Sequence, residues 1–313
     1  MVVMSVLATL VGGPAFGIAN GTDVKDGEFP FATKLTMIGI PDGDGGRRDS
    51  SCSGGLIAPR WILTAGHCFK NAKGVHVSKL VAKKTTATVG RADLTGDAGQ
   101  EAEVVEVRQS QVADVALAKL DREITGIAPM RLNRKKPKVG LSVRLTGFGL
   151  LHGDDAEVTE QLQVGRFEVT SVSKYELGMA GTAPKRSTSA CPHDSGGPYF
   201  VPDNTSAVVY AVVSNGPTCP HTGPDASGRI DTIVPWILGV IGKDGPTPAP
   251  PSPSPSKTTP PAVAATSPPA EEAPFGVSMP VVAGVAGSML VVPFLLIGMS
   301  RRKHRRFRRG RPG

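Results

Sequence analysis

Cys191-Pro192-His193-Asp194-Ser195-Gly196-Gly197-Pro198 is the stretch on which the reading of this chain turns. A serine hydroxyl is a weak nucleophile at neutral pH and needs an external base and an open backbone around it. Gly196 and Gly197 have no Cβ, so the chain can turn sharply there and a second backbone can come close to the serine. Alone, the stretch also fits a Gly-Gly turn that happens to carry Asp-Ser. It gains chemical meaning only if the rest of the chain supplies a base and an acid to orient that base.

Two other stretches supply them. Thr64-Ala65-Gly66-His67-Cys68 puts a histidine in a small-residue turn after the apolar run Trp61-Ile62-Leu63. Asp114-Val115-Ala116-Leu117-Ala118-Lys119-Leu120 puts an acid at the mouth of a strand-like run. The order His67, Asp114, Ser195 is one of the chain orders in which Ser-His-Asp triads occur.

The three motifs together, in this order and at this spacing, resemble those of the trypsin/chymotrypsin-like serine proteases. Ile18-Ala19-Asn20-Gly21 is similar to that family's Ile-Val-Gly-Gly mature start, and Thr146-Gly147-Phe148-Gly149 to its Thr-Gly-Trp-Gly. The resemblance covers about Ile18 to Gly242. It implies an all-β fold of two six-stranded antiparallel β-barrels with the triad in the cleft between them. Thr232 to Leu238 resembles the family's closing helix. The implied activity is serine endopeptidase, acting on protein or peptide substrates with no cofactor or metal.

The resemblance also assigns roles residue by residue. Ser195 would be the nucleophile, His67 the general base and later acid, and Asp114 the group that fixes the imidazole tautomer. The N–H groups of His193 and Ser195 would form the oxyanion hole. Glycine is the family's residue where His193 stands, so the peptide orientation there is in question. Asp194 would pair with a new α-amino group at Ile18. Cys52–Cys68 and Cys191–Cys219 match the family's bridges beside the histidine and across the specificity pocket. Ser189 would sit on the pocket floor, and Ser214 and Gly216 along one wall. For the opposite wall, an ungapped count back from Trp236 sets Asp225 where a glycine is usual. A gapped alignment sets Gly228 there instead and leaves the pocket uncharged. The ungapped count is preferred and favours Arg or Lys at P1; an uncharged pocket would favour apolar P1. His193, together with Asn215 in place of the family's stacking tryptophan, keeps open a second class, an inactive homologue that binds partners.

Short runs rich in β-branched and apolar residues recur, bounded by Gly, Pro and Asp, and argue independently for a closed all-β architecture. They include Ala32–Ile40, Leu56–Thr64, Glu101–Val107, Val143–Gly149, Gln161–Val172, Tyr199–Val201 and Ala207–Ser214. Four cysteines, an even number, suit an oxidising compartment, and no Cys-x-x-Cys spacing suggests zinc. Asp42-Gly43-Asp44-Gly45-Gly46 lacks the later acids of a calcium loop and reads as a hairpin tip. His76, His152, His221 and His304 have no partner cluster and read as surface residues.

Outside the protease region the composition changes. The formal net charge of +8 is carried by eight Lys/Arg at 301–313, so the rest of the chain is neutral and offers no basic face for nucleic acid. Residues 1–17 read as a secretory leader with an apolar core and Ala15-Phe16-Gly17 at its end, though a basic start is missing. Residues 243–274 are a Pro/Ser/Thr-rich linker. Residues 275–300 lack any charge and read as one transmembrane helix, followed by the basic tail at 301–313. By the positive-inside rule this is a single-pass protein of the cell membrane, with the 18–242 domain outside and the C-terminus in the cytoplasm.

Overall fold

The computed structural model describes residues 17–242, apart from 157 and 205. The expected leader up to residue 16 of its 1–17, the linker, the transmembrane segment and the basic tail lie outside the described residues. A two-residue strand, β1 (Thr22–Asp23), precedes a first set formed by β2 (Ala32–Pro41), β3 (Arg47–Ala58), β4 (Trp61–Thr64), β5 (Lys84–Val89), β6 (Gln100–Gln109) and β7 (Ala116–Leu120). These close into an antiparallel barrel in the order β2-β3-β4-β7-β6-β5. A short β8 (Arg131–Leu132) crosses to the second set: β9 (Ser142–Gly147), β10 (Gln163–Val172), β11 (Glu176–Ala183), β12 (Pro198–Pro202), β13 (Ala207–Asn215) and β14 (Asp225–Arg229). Their pairings run β9-β10-β11-β14-β13-β12 and return to β9, a second ring of six strands. β1 adds to β10, and β8 adds in parallel to β13. The helix α1 (Val234–Ile241) follows, beginning later than Thr232 because Thr232 and Ile233 lie in a turn closed by Ile233 N–H on the Ile230 carbonyl.

Alternation explains most of these strands. In β10, Phe167 and Val169 are buried while Glu168 and Thr170 are exposed, the period of a half-buried strand. β6 alternates only in part because the register shifts between Val104 and Glu106, which turns Val105 outward. The run Leu56–Thr64 is two strands, not one. Pro59 has no N–H to donate, and the chain reverses there so that Ala58 faces Trp61. β14 has polar, turn-like composition, yet it is a strand because β11 and β13 flank it on both sides.

The second barrel packs around Val143, Leu145, Phe167, Val169, Met179 and Tyr199, with the Phe167 and Tyr199 rings edge to face at 5.2 Å. Ile18 belongs to this core and is fully buried. The first barrel's core continues onto α1 through Ile233, Val234, Ile237 and Ile241. Triad and loop residues are thus carried on two filled barrels, so their positions are set by packing.

Candidate active site

His67 lies on a 3-10 turn, Gly66–Phe69, directly after β4. Asp114 lies just before β7, the neighbour of β4. Asp114 Oδ1 accepts the His67 backbone N–H at 2.8 Å, and Asp114 Oδ2 stands 2.7 Å from His67 Nδ1. Ser214 Oγ donates to the same Oδ2 at 2.6 Å. Burial opposes ionisation of Asp114, but the His67 and Ser214 hydrogen bonds outweigh it and hold its pKa at about 2. An ionised carboxylate only accepts, so the proton of the pair sits on Nδ1, and the Nε2 lone pair faces Ser195 Oγ at 2.7 Å.

Ser195 sits in a turn pinned to both barrels. Its carbonyl accepts the Ser53 N–H at 2.9 Å, Gly196 N–H reaches the Val213 carbonyl at 2.9 Å, and Gly197 N–H reaches the Asp194 carbonyl at 2.8 Å. Gly196 has φ +82, and a Cβ there would stand 2.1 Å from Thr64 Oγ1. Only glycine fits such a position.

His193 departs from glycine and still takes the left-handed conformation, with φ 75. Barrel one holds it there. Its ring Nδ1 lies 3.0 Å from both the hydroxyl and the carbonyl of Ser51, and its carbonyl accepts Ser53 Oγ–H at 3.0 Å. Burial lowers the pKa of this imidazole. The preceding carbonyl, Pro192, accepts the Leu150 N–H at 2.9 Å. In a trans peptide the N–H points opposite its carbonyl. The His193 N–H is therefore directed away from Leu150. Among the described residues neither it nor the Ser195 N–H has an acceptor.

Asp194 is fully buried. It accepts the Gly149 N–H at 2.8 Å and the Cys191 N–H at 2.9 Å. Burial pushes its pKa up to about 7, against the pull of those two bonds and of the Lys34 charge. Ile18 is preceded here by Gly17, and no hydrogen bond joins Ile18 to Asp194 among the described residues. Gly17, the residue before Ile18, lies close to Gly149, whose N–H Asp194 accepts: a Cβ on Gly17 would stand 3.4 Å from the Gly149 carbonyl oxygen.

Beside Ser195 opens a cavity of about 260 Å³, with Ala190, Ser214, Gly216 and Asp225 in its walls. Asp225 is 2% exposed and enters so far that a Cβ on Gly216 would stand 2.0 Å from its Oδ1. Ser189 is fully buried beside the wall residue Ala190, and its hydroxyl accepts the His221 N–H at 3.2 Å. One expectation needs correction here. His221 is not a surface residue. Its side chain is nearly buried, with Nε2 3.1 Å from Asp225 Oδ1, off the line of a proper hydrogen bond. The Cys191–Cys219 bridge draws this segment back over the pocket, which is why composition around His221 misleads. The other bridge, Cys52–Cys68, is also formed. His152 is exposed; His76 is exposed too, 4.0 Å from Asp114 Oδ1. His304 lies outside the described residues. Sequence reasoning missed Ser53 and Lys34. Lys34, the lone charge in the run Ala32–Ile40, was the available signal, since β2 is covered on both faces there.

A family profile, Trypsin, matches residues 18–237. The chain is 26% identical over 249 residues to a chymotrypsin of Phaedon cochleariae, covering 72% of this chain and 82% of that one. It is 26% identical over 241 residues to trypsin 5G1 of Aedes aegypti, covering 72% and 85%. Neuropsin, a serine protease of mouse brain, shares the fold at a TM-score of 0.56 and 20% identity, over 72% of this chain and 100% of that one. The chain belongs to the trypsin family and is a serine endopeptidase.

Proposed function

We propose that this endopeptidase works at the outer face of the cell membrane, held by the 275–300 segment, and cleaves after arginine or lysine. The observation that supports the chemistry most strongly is the unbroken contact Asp114–His67–Ser195, 2.7 Å at each side of the imidazole. Ser195 Oγ attacks the scissile carbonyl carbon as His67 Nε2 takes its proton, and Asp114 stabilises the imidazolium. The carbonyl oxygen becomes an oxyanion between the free N–H groups of His193 and Ser195. His67 returns the proton to the leaving amine as the C–N bond breaks, leaving an acyl-enzyme. Water, deprotonated by His67, then releases the acid and restores Ser195.

Asp225 supports the P1 assignment. Its carboxylate is in the cavity wall beside Ser195, where a cationic side chain would meet it by a charge-assisted hydrogen bond. Leader cleavage before Ile18 would free the amine that pairs with Asp194. The burial of Ile18 and the closeness of Gly17 to Gly149 support this. A cleavage profile of the full-length chain in detergent against a peptide library tests activity and P1 together. Cuts after Arg and Lys are expected; cuts confined to Phe, Tyr or Leu would refute the pocket assignment.

A further inference from the structure

Lys34 is a lysine 4% exposed in β2, and the mechanism above does not use it. A buried ammonium is costly unless something nearby uses its charge. Its Nζ donates to the Phe148 carbonyl at 2.9 Å and lies 5.6 Å from the centroid of the Phe148 ring. The peptide group that carries this carbonyl also carries the Gly149 N–H, and that N–H donates to Asp194 Oδ1 at 2.8 Å. One peptide group therefore has the ammonium on its oxygen and the carboxylate on its N–H, an arrangement in which each end polarises the other.

The neighbouring strand position completes a brace. Lys34 pairs in register with Ser53 of β3. Ser53 Oγ accepts the Phe148 N–H at 2.9 Å and donates to the His193 carbonyl at 3.0 Å. Lys34 and Ser53, side by side on barrel one, thus hold the carbonyl and the N–H of Phe148 and the loop that carries Ser195. All these bonds exist with Gly17 still joined to Ile18.

We infer that Lys34 is a positioning residue, an internal cation that holds Asp194 and the His193–Ser195 loop in their reactive arrangement before Ile18 has a free amine. The inference rests on the reading of Ser195 as the nucleophile. Mutual charge stabilisation fits it. Burial lowers the Lys34 pKa to about 8, and the Asp194 charge draws it back up. The unprocessed chain is then already competent, and release of the Ile18 amine adds a second cation to a site that has one.

The test compares two forms of the full-length chain in detergent, one starting at Ile18 and one with a short blocked peptide ahead of Gly17. The readout is the rate of covalent labelling by a fluorophosphonate. In the wild type, the extended form should label within about tenfold of the Ile18-start form, a comparison that needs no substitution. Lys34→Met should slow the extended form by about a hundredfold or more and the Ile18-start form by no more than tenfold, with Lys34→Gln as a second variant. A merely structural lysine would lower both forms alike, and that result overturns the inference. So does an inert extended wild type beside a reactive Ile18-start form. Failure of the Ile18-start wild type to label would instead sink the protease reading itself.

Discussion

The His221 imidazole stands 3.1 Å from the Asp225 carboxylate, so the acid of the pocket wall meets a partner before any substrate arrives. Burial pushes the Asp225 pKa up to about 6, and the His221 charge draws it back down. The carboxylate is ionised above that value. Preference for Arg or Lys over apolar P1 should therefore be full well above pH 6 and fade as the pH falls through it. His221→Ala, which removes the imidazole standing against one carboxylate oxygen, should raise that preference by about tenfold at pH 8, the worth of one charge-assisted hydrogen bond to the substrate. Asp225→Gly should shift it toward apolar P1. Ratios of kcat/KM for paired Arg and Phe substrates report both; no change in either variant would remove Asp225 from the pocket account.

Asp194 and Asp225 both have folded pKa values above the unfolded one, about 7 and about 6 against 3.8. An acid raised in this way binds more protons folded than unfolded, so stability falls as the pH rises through the window between the two values. With Ile18 blocked, the urea midpoint should drop between about pH 4 and pH 7, and Asp194→Asn should flatten the slope. Asp114, held at about 2, acts in the opposite sense, and its contribution is lost only below about pH 4. A midpoint that rose steadily from pH 4 to pH 7 would contradict the raised pKa of the buried Asp194.

His193 keeps φ 75 through its contacts with Ser51 and Ser53. Glycine adopts that conformation freely, so His193→Gly should leave kcat within about tenfold. A β-branched residue there is strained, and losing one oxyanion donor costs about 10²- to 10³-fold. His193→Val should show a kcat loss of that order with KM little changed. Equal rates for the valine and glycine variants would mean that this N–H is not an oxyanion donor.

Truncation before Phe275 should release a soluble, folded protease with unchanged kcat/KM, because residues 18–242 alone supply both barrels and the triad. Fractionation of cells expressing both forms checks it. Extraction of the full-length chain without detergent or proteolysis would contradict the anchor.

Much of this was legible in the sequence because local chemistry and fold agree there. Gly196 marks a turn no other residue could make, and the alternation in β10 announces its buried face. The ungapped count from Trp236 sets Asp225 in a pocket wall, and Asp225 lines the cavity beside Ser195. What stayed hidden depends on contacts between distant segments. Leu56–Thr64 reads as one strand unless Pro59 is taken as a break. β14 gets its identity from β11 and β13, not from Asp-Ala-Ser-Gly. His221 reads as a surface residue because its cover comes from elsewhere in the chain: its N–H donates to Ser189 and its ring lies against Asp225. Lys34 shows only as a charge in an apolar run; its partners lie more than a hundred residues away in the chain.

The central claim is that Ser195 is a nucleophile activated by His67 and Asp114. Mass spectrometry of the Ile18-start chain after treatment with a fluorophosphonate tests it most directly. The account predicts one adduct, on Ser195, absent in Ser195→Ala and formed about 10⁴-fold more slowly in Asp114→Asn, where the wrong tautomer faces the hydroxyl. A folded, correctly processed chain that takes up no adduct, or takes it up equally with Ser195→Ala, would contradict it.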